Sequence, residues 1–419
     1  MKINDPRRLL TDLFDEAVAV ADPMQVVAKH LPPRPKGRLV VIGAGKASAR
    51  MAEAVEAIYG PCEGLVITRY GYARPCQGIE IIEAAHPVPD QAGVDATTRM
   101  LELVQDLQAE DTVLALISGG GSALLCAPID GLTLADKQAV NAALLASGAP
   151  IREMNTVRMR LSKVKGGGLA TAIAPAQLHS LIISDVPGDD PAEIASGPTV
   201  PSAATNEKAL AVITQHDISV GDKVLKFLSK FQDKAFKNKA DGTLAIVAAP
   251  SQSLAAAADI GRANGCDVKL LGDAIEGEAR ELGQAHAELA LSLQDQMTPQ
   301  SKPLLLLSGG ECTVTRIGDG IGGPNAEYAL AAGLGLGSNA GIHVVACDTD
   351  GVDGAAEVAG GYFGPETIKS DSQRSEAEAA LLNNDAHSFF SNAGGQIVTG
   401  PTLTNVNDFR AILIFPKPE

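Results

Sequence analysis

The chain has 419 residues, 45% hydrophobic and 20% charged, with a formal net charge of −16. This is the composition of a globular enzyme long enough for two cores; it excludes a disordered or fibrous chain, and the acidic balance argues against nucleic acid or an anionic membrane as main partner. No apolar run reaches the roughly 18 residues of a membrane span, and the amphipathic N-terminus lacks a signal core, so a cytoplasmic protein is expected.

The first predicted element is a helix within 5–30, with apolar residues at Leu9, Leu10, Leu13, Phe14, Ala17 and Val18 and a stop at Leu31-Pro-Pro-Arg-Pro. Strands near 38–42, 64–67, 79–83, 112–117 and 179–183 then alternate with helices near 46–58, 91–108, 133–147 and 166–173. This alternation predicts βαβ units around a mostly parallel sheet. The first strand runs into Gly43-Ala-Gly45-Lys46-Ala-Ser48, a turn similar to the dinucleotide fingerprint with serine at its third glycine. The following strand ends Ile67-Thr68-Arg69 without the acidic residue that would hold a ribose, which disfavours NAD and leaves NADP open. Lys46 opposes the helix dipole at a helix start, which calls for an anionic partner unless it is simply a surface lysine at a tight βα turn. His86, in His86-Pro-Val-Pro-Asp90, is a candidate acid, base or donor to substrate, or a structural turn histidine.

The fourth strand ends in Ser118-Gly119-Gly120-Gly121-Ser122, and a later one in Ser308-Gly309-Gly310-Glu311. Small residues after a buried strand leave amides open to an anion, so both turns are candidate phosphate or carboxylate cradles. Arg158, Ser162 and Lys165 are spaced to share one helical face ahead of three glycines, which suits a carboxylate or phosphate. Two further apolar runs end in carboxylates: Asp185, Asp189 and Asp190 in one, Asp348, Asp350 and Asp353 in the other. Such residues are ordinary in turns, yet one or two of them suffice to hold magnesium on a substrate phosphate.

Between about 200 and 242 the sequence turns charged and irregular, with a Lys-rich stretch at Lys223–Lys239, and the domain boundary is expected there. A second α/β series follows: a strand at 244–248, a helix at 251–264, a strand at 267–271, a helix at 276–294, strands at 304–307 and 343–346 flanking a helix at 325–334, and a last strand at 411–415. The loop Gly318–Glu327, including Gly322, Gly323 and Asn325, opens a helix and is a further candidate phosphate cradle. The six cysteines are scattered without a Cys-x-x-Cys, so reduced thiols and no zinc site are expected. The resulting fold class is α/β: two α/β domains, 1–225 and 240–419, with mostly parallel sheets, the first Rossmann-like, facing a central cleft.

Taken in order, Val-Ile-Gly-Ala-Gly-Lys46, His86-Pro-Val-Pro-Asp90, Ser118-Gly-Gly-Gly-Ser122, Leu161-Ser-Lys-Val-Lys-Gly-Gly167, Ser184-Asp-Val-Pro-Gly188, Ser196-Gly-Pro-Thr199, Ser308-Gly-Gly-Glu311 and Asp348-Thr-Asp-Gly351 resemble the glycerate 2-kinase family, whose C-terminal part, here about 300–415, is the MOFRL domain. The resemblance implies phosphorylation of D-glycerate at its 2-hydroxyl with ATP and Mg2+. Some members have carried the name hydroxypyruvate reductase, and an NAD(P)H-dependent reductase is the alternative. On the kinase reading, Lys46, Asp185 and Asp189 are the expected catalytic residues. Ser118, Gly119, Gly120, Gly121, Ser122, His86, Arg158 and Lys165 are expected to bind glycerate. Ser308, Gly309, Gly310, Glu311, Gly322, Gly323 and Asn325 are expected to bind nucleotide, and Asp189, Glu311, Asp348 and Asp350 the metal. The expected partners are D-glycerate and a nucleotide, with a homodimer allowed for. The chain departs from the family at Pro324, where an arginine is common; proline cannot neutralise a phosphate but suits a first helical turn.

Overall fold

The computed structural model describes residues 3–230, 240–337, 341–354 and 356–417. They divide into two compact units, one of Pro23–Val247 and one that joins Met1–Asp22 to Ala248–Glu419. No helix among the described residues is long and apolar enough to cross a membrane.

The Pro23–Val247 unit is built on a six-stranded sheet: β1 (Leu39–Ala44), β2 (Glu63–Arg69), β3 (Ile79–Ala84), β4 (Thr112–Ile117), β5 (Gln177–Ile183) and β6 (Gly242–Ala248), in the order β3-β2-β1-β4-β5-β6. The pairs from β3 through to β5 are all parallel. Every residue of β4 is buried, because a parallel strand covered on both faces is apolar throughout rather than alternating. Strand order reverses between β1 and β4, so their carboxyl ends lie side by side at the switch point where open α/β sheets take ligands. The helix predicted at 133–147 runs Leu134–Ala146 and opens on a reciprocal capping box between Thr133 and Asp136.

The second unit carries β7 (Asp267–Gly272), β8 (Gly277–Glu278), β9 (Leu304–Gly310), β10 (Cys312–Thr313), β11 (Ile342–Asp348), β12 (Gly360–Phe363), β13 (Gln396–Ile397) and β14 (Asp408–Ile414). Its main sheet has the order β13-β12-β11-β14-β9-β7, and β8 with β10 forms a small separate ribbon. This corrects the expectation of a second mostly parallel sheet: only β7–β9 is a parallel pair in it, and β14 runs antiparallel to both β9 and β11. The chain enters β14 from the non-helical stretch 398–407 rather than from a crossover helix, so nothing holds that strand parallel to its neighbours.

The unit boundaries also differ from those expected from the sequence. The segment after residue 200 forms helices Asn206–Gln215 and Asp222–Leu228, whose Ala209, Val212, Ile213, Val224 and Leu228 pack with Val140, Leu144, Val157 and Leu161. Part of the Lys-rich stretch, 231–239, lies outside the described residues. The strand expected to open the second series is β6, the outer strand beside β5, where Leu178 N donates to Asp241 O at 2.7 Å. The first helix spans Pro6–Ala19 and belongs to the second unit: Leu9, Leu10, Leu13, Phe14 and Ala17 pack on Leu254, Leu305 and Phe409, and Ser253 Oγ donates to Ala17 O. An amphipathic stripe goes where a matching apolar face exists, whatever the chain order.

In the second unit His286, on helix Ala279–Asp295, pairs Nδ1 with the Tyr328 hydroxyl at 2.7 Å. Burial and the nearby Arg410 guanidinium hold its pKa at about 4, below the ordinary 6.5. The unfolded chain therefore binds the proton first as pH falls, so the stability increment is present above about 6.5 and is lost as pH drops towards 4. Urea unfolding of His286→Gln between pH 7 and 4.5 should show a shallower fall in stability than the parent. Parallel curves would refute this.

Candidate active site

In the first unit the turn after β1 and the turn after β4 are stitched to each other. Gly45 takes a φ of +146°, and a methyl group there would lie 2.0 Å from Ser118 Oγ, so only glycine lets the two turns approach. Gly45 N donates to Ile67 O, Lys46 N to Gly119 O at 2.8 Å, and Ala47 N to Ser118 Oγ at 3.1 Å. Ser48 Oγ completes the join to Ser118 Oγ at 3.1 Å. The amides that a dinucleotide pyrophosphate would need at this turn are thus spent on the protein itself, and the likeness of the turn to the fingerprint does not extend to its anion-binding groups.

What the stitching presents is a side chain. Gly120, at φ +79°, begins the short helix Gly121–Leu124, and a methyl group on it would lie 3.2 Å from Lys46 Cγ and 3.3 Å from His86 Nε2. Lys46 and His86, 40 residues apart in sequence, therefore meet at one glycine, with the ends of β1, β3 and β4 as supports. Among the described residues the amides of Gly119 and Gly120 meet no backbone acceptor, whereas Gly121 N donates to Ser118 O. Ser122 Oγ bonds Ser196 Oγ at 2.6 Å.

Arg158, Ser162 and Lys165 do not share a helical face, because the helix Ile151–Arg160 ends before the last two. Lys165 instead folds back, with Nζ 2.5 Å from Ser122 O, and its side chain is buried. Arg158 donates from Nε to Asn141 Oδ1 at 2.8 Å and from Nη1 to Asn155 Oδ1 at 3.3 Å; Asn155 Nδ2 donates to Glu193 at 2.7 Å. Arg158 and Lys165 thus reach the same region from separate elements. Burial, together with the charges of Lys137 and Arg158, pushes the Lys165 pKa well below that of an ordinary lysine. Asn141 and Lys137 escaped the sequence reading; their spacing of four on helix Leu134–Ala146 was the available signal.

Asp185 lies half-buried just after β5. Asp189 sits in the following turn with φ +54°, a left-handed conformation unusual outside glycine, and its Oδ1 is buried with no hydrogen-bond partner among the described residues. A carboxylate oxygen held away from donors is suited to a cation, so Asp189 fits one magnesium ligand.

The second unit treats its candidates differently. Ser308, Gly309 and Gly310 lie inside β9, paired with Arg410, Phe409 and Asp408 of β14, so this Ser-Gly-Gly is strand where the first is turn. The carbonyls of Gly309 and Gly310 accept from the buried Arg410 at 3.3 and 3.4 Å. Glu311 follows, exposed. The glycine loop is no open cradle either. Asp353 Oδ1 accepts from Asn325 N at 2.9 Å and Oδ2 from Ala326 N at 2.8 Å, which fills the amino end of helix Pro324–Leu336 with the chain's own carboxylate. A methyl group on Gly323 would lie 2.4 Å from that carboxylate, and one on Gly322 2.6 Å from Asn384 O. Pro324 occupies the first helical turn, where its missing N–H costs nothing. Asp348 Oδ1 caps Asp350 N and Asp350 Oδ1 caps Val352 N, the ordinary turn role of aspartate. No group of three or more His, Cys, Asp or Glu among the described residues is arranged to hold a metal ion.

A glycine-stitched switch point bearing a lysine and a histidine in one unit, and a mixed sheet in the other, define a two-unit α/β protein of a distinct kind. Residues 9–229 match the family described as "Domain of unknown function (DUF4147)" and residues 304–408 match the MOFRL family. A "D-glycerate 2-kinase" of Thermotoga maritima is 37% identical over 409 residues, 96% of this chain and 97% of that protein. A protein of Agrobacterium vitis named "Putative hydroxypyruvate reductase" is 48% identical over 413 residues, 97% of this chain and 94% of its own length. The crystal structure of a glycerate kinase from Thermotoga maritima superposes with a TM-score of 0.86 at 35% identity, covering 97% of this chain and 99% of that one. The chain belongs to the glycerate kinase family, an enzyme family with an N-terminal DUF4147 region and a C-terminal MOFRL region.

Proposed function

We propose that the protein is a glycerate 2-kinase, transferring the γ-phosphoryl group of ATP to the 2-hydroxyl of D-glycerate. The observation that carries this reading is the meeting of Lys46 and His86 at the Gly119–Gly120 turn, at the switch point of the first sheet. Phosphoryl transfer requires positioning and charge neutralisation far more than covalent help. Lys46 supplies positive charge to the transferred group, and the Gly119 and Gly120 amides point hydrogen-bond donors at an anion. His86 donates to the acceptor, Arg158 and Lys165 supply charge for the glycerate carboxylate, and Asp185 accepts the hydrogen bond of the attacking hydroxyl. That hydroxyl oxygen forms the new bond to phosphorus as its proton passes to the Asp185 carboxylate and the bridging oxygen leaves with ADP. Asp189 would hold magnesium, whose charge offsets that of the nucleotide phosphates.

The reductase reading rests on the name of the Agrobacterium vitis relative. Against it stand the turn amides of Gly45, Lys46 and Ala47, all donated within the protein. The deciding experiment is ADP release from D-glycerate, ATP and Mg2+ in a coupled assay, with phosphorus NMR of the product. A resonance split by the C2 proton is expected. Oxidation of NADPH by hydroxypyruvate without ATP, and no ADP, would replace the kinase with the reductase.

A further inference from the structure

Two lysines and an arginine gather in one region of the first unit. Lys137, on helix Leu134–Ala146, has its ammonium buried with no hydrogen-bond partner among the described residues. One turn on, Asn141 Oδ1 accepts from Arg158 Nε, and between them Gln138 Nε2 donates to Pro89 O at 2.7 Å, tying this helix to the segment that carries His86. Lys165, buried, bonds the carbonyl of Ser122 in the glycine turn. The charged or titratable groups that act on Lys137 are Arg158 and the Cys126 thiol; those that act on Lys165 are Lys137, Arg158 and the same thiol. Burial raises the Cys126 pKa, while Lys137 and Lys165 pull it down. A buried lysine nitrogen with no partner among the described residues, set beside a guanidinium and a second buried lysine, is a place where a bound anion restores the charged form of both amines.

We infer that Lys137 joins the Arg158 guanidinium and Lys165 in the subsite for the carboxylate of the acceptor substrate. Lys137 is thereby a specificity-determining residue for a hydroxy acid over the corresponding alcohol. This rests on the acceptor reading above. Arg158 is fixed in its plane by Asn141 and Asn155, which suits the flat, two-oxygen geometry of a carboxylate, and Lys137 adds a point charge. The Gly119–Gly120 turn and Lys46 are left to the phosphoryl group.

The test uses the full-length enzyme and the variants Lys137→Met and Lys137→Arg. Lys137→Met removes a buried unpaired charge, so its melting temperature without ligand should equal or exceed that of the parent. D-glycerate binding, read by thermal shift and as KM, should weaken ~10- to 100-fold in Lys137→Met, the loss of one charge-assisted hydrogen bond, with the KM for ATP unchanged. Lys137→Arg should recover part of that loss. Equal losses in both variants, or unchanged glycerate affinity in Lys137→Met, overturn the proposal. So does inorganic phosphate protecting the parent through Lys137 where D-glycerate does not, which would make this the phosphoryl site. If the parent shows no kinase turnover but glycolate and D-lactate raise its melting temperature and not that of Lys137→Met, the kinase reading fails and this site stands. If no carboxylate shifts the parent, the site fails.

Discussion

Lys46→Met is expected to lower kcat for ATP-dependent phosphorylation of D-glycerate by about 10³-fold, the lower end of what a single cation on a transferring phosphoryl group contributes. The KM for glycerate should move by only a few-fold, because the carboxylate subsite lies on other elements. The substitution leaves the fold supported: the hydrogen bond from Lys46 to Gly119 is made by the backbone, and Gly45, Ala47 and Ser48 keep their own bonds to the neighbouring strand ends. The check is the coupled ADP assay beside a thermal melt. A folded variant with more than a tenth of parental kcat would remove Lys46 from the chemistry.

Asp353→Ala should destabilise the second unit by ~2–6 kcal/mol, because two buried helix amides lose their acceptor at roughly 1–3 kcal/mol each. Asp353 is 1% exposed, caps two amides of helix Pro324–Leu336, and lies 3.0 Å from His387 Nε2 through Oδ2. Asn325 Nδ2 extends the network to Asp408 at 2.6 Å, and Asp408 pairs with Arg410 at 2.6 Å. Loss of the carboxylate leaves two helix amides without an acceptor and takes one of two partners from the buried His387 imidazole, whose Nε2 keeps the Asp353 carbonyl at 3.2 Å. Urea unfolding followed by far-UV circular dichroism reads the loss. A change below about 1 kcal/mol would mean that the cap is replaceable and would reopen the loop as a phosphate cradle.

Much of the first unit was legible in the sequence because its signals are local. Apolar runs ending in glycine marked β1 and β4, and parallel strands deliver their carboxyl ends to one edge of the sheet, which is how Lys46, His86 and Gly120 come to meet. The second unit was less legible. Ser308-Gly-Gly has the same letters as Ser118-Gly-Gly, but β14 pairs along the whole of it and keeps it strand. The loop at Gly322–Asn325 has the composition of a phosphate cradle, yet a carboxylate 28 positions later in the chain takes its amides. Lys137 was invisible for a related reason. A lysine on a helix reads as solvated until the packing of Arg158 and Lys165 near it shows that its Nζ is buried without a hydrogen-bond partner among the described residues.

By itself, then, the sequence determined the main strands and helices of the two α/β series, where glycine must turn the backbone, and which family motifs are present in order; these depend on residues near in the chain. Tertiary structure alone decided that the first helix packs on the second unit, that β14 runs antiparallel between β9 and β11, that β6 belongs to the first sheet, which turn amides are open and which are filled, and which buried lysine is left unpaired among the described residues. The physical reason is that a hydrogen bond or a buried charge is settled by its partner, and here the partners lie tens of residues away.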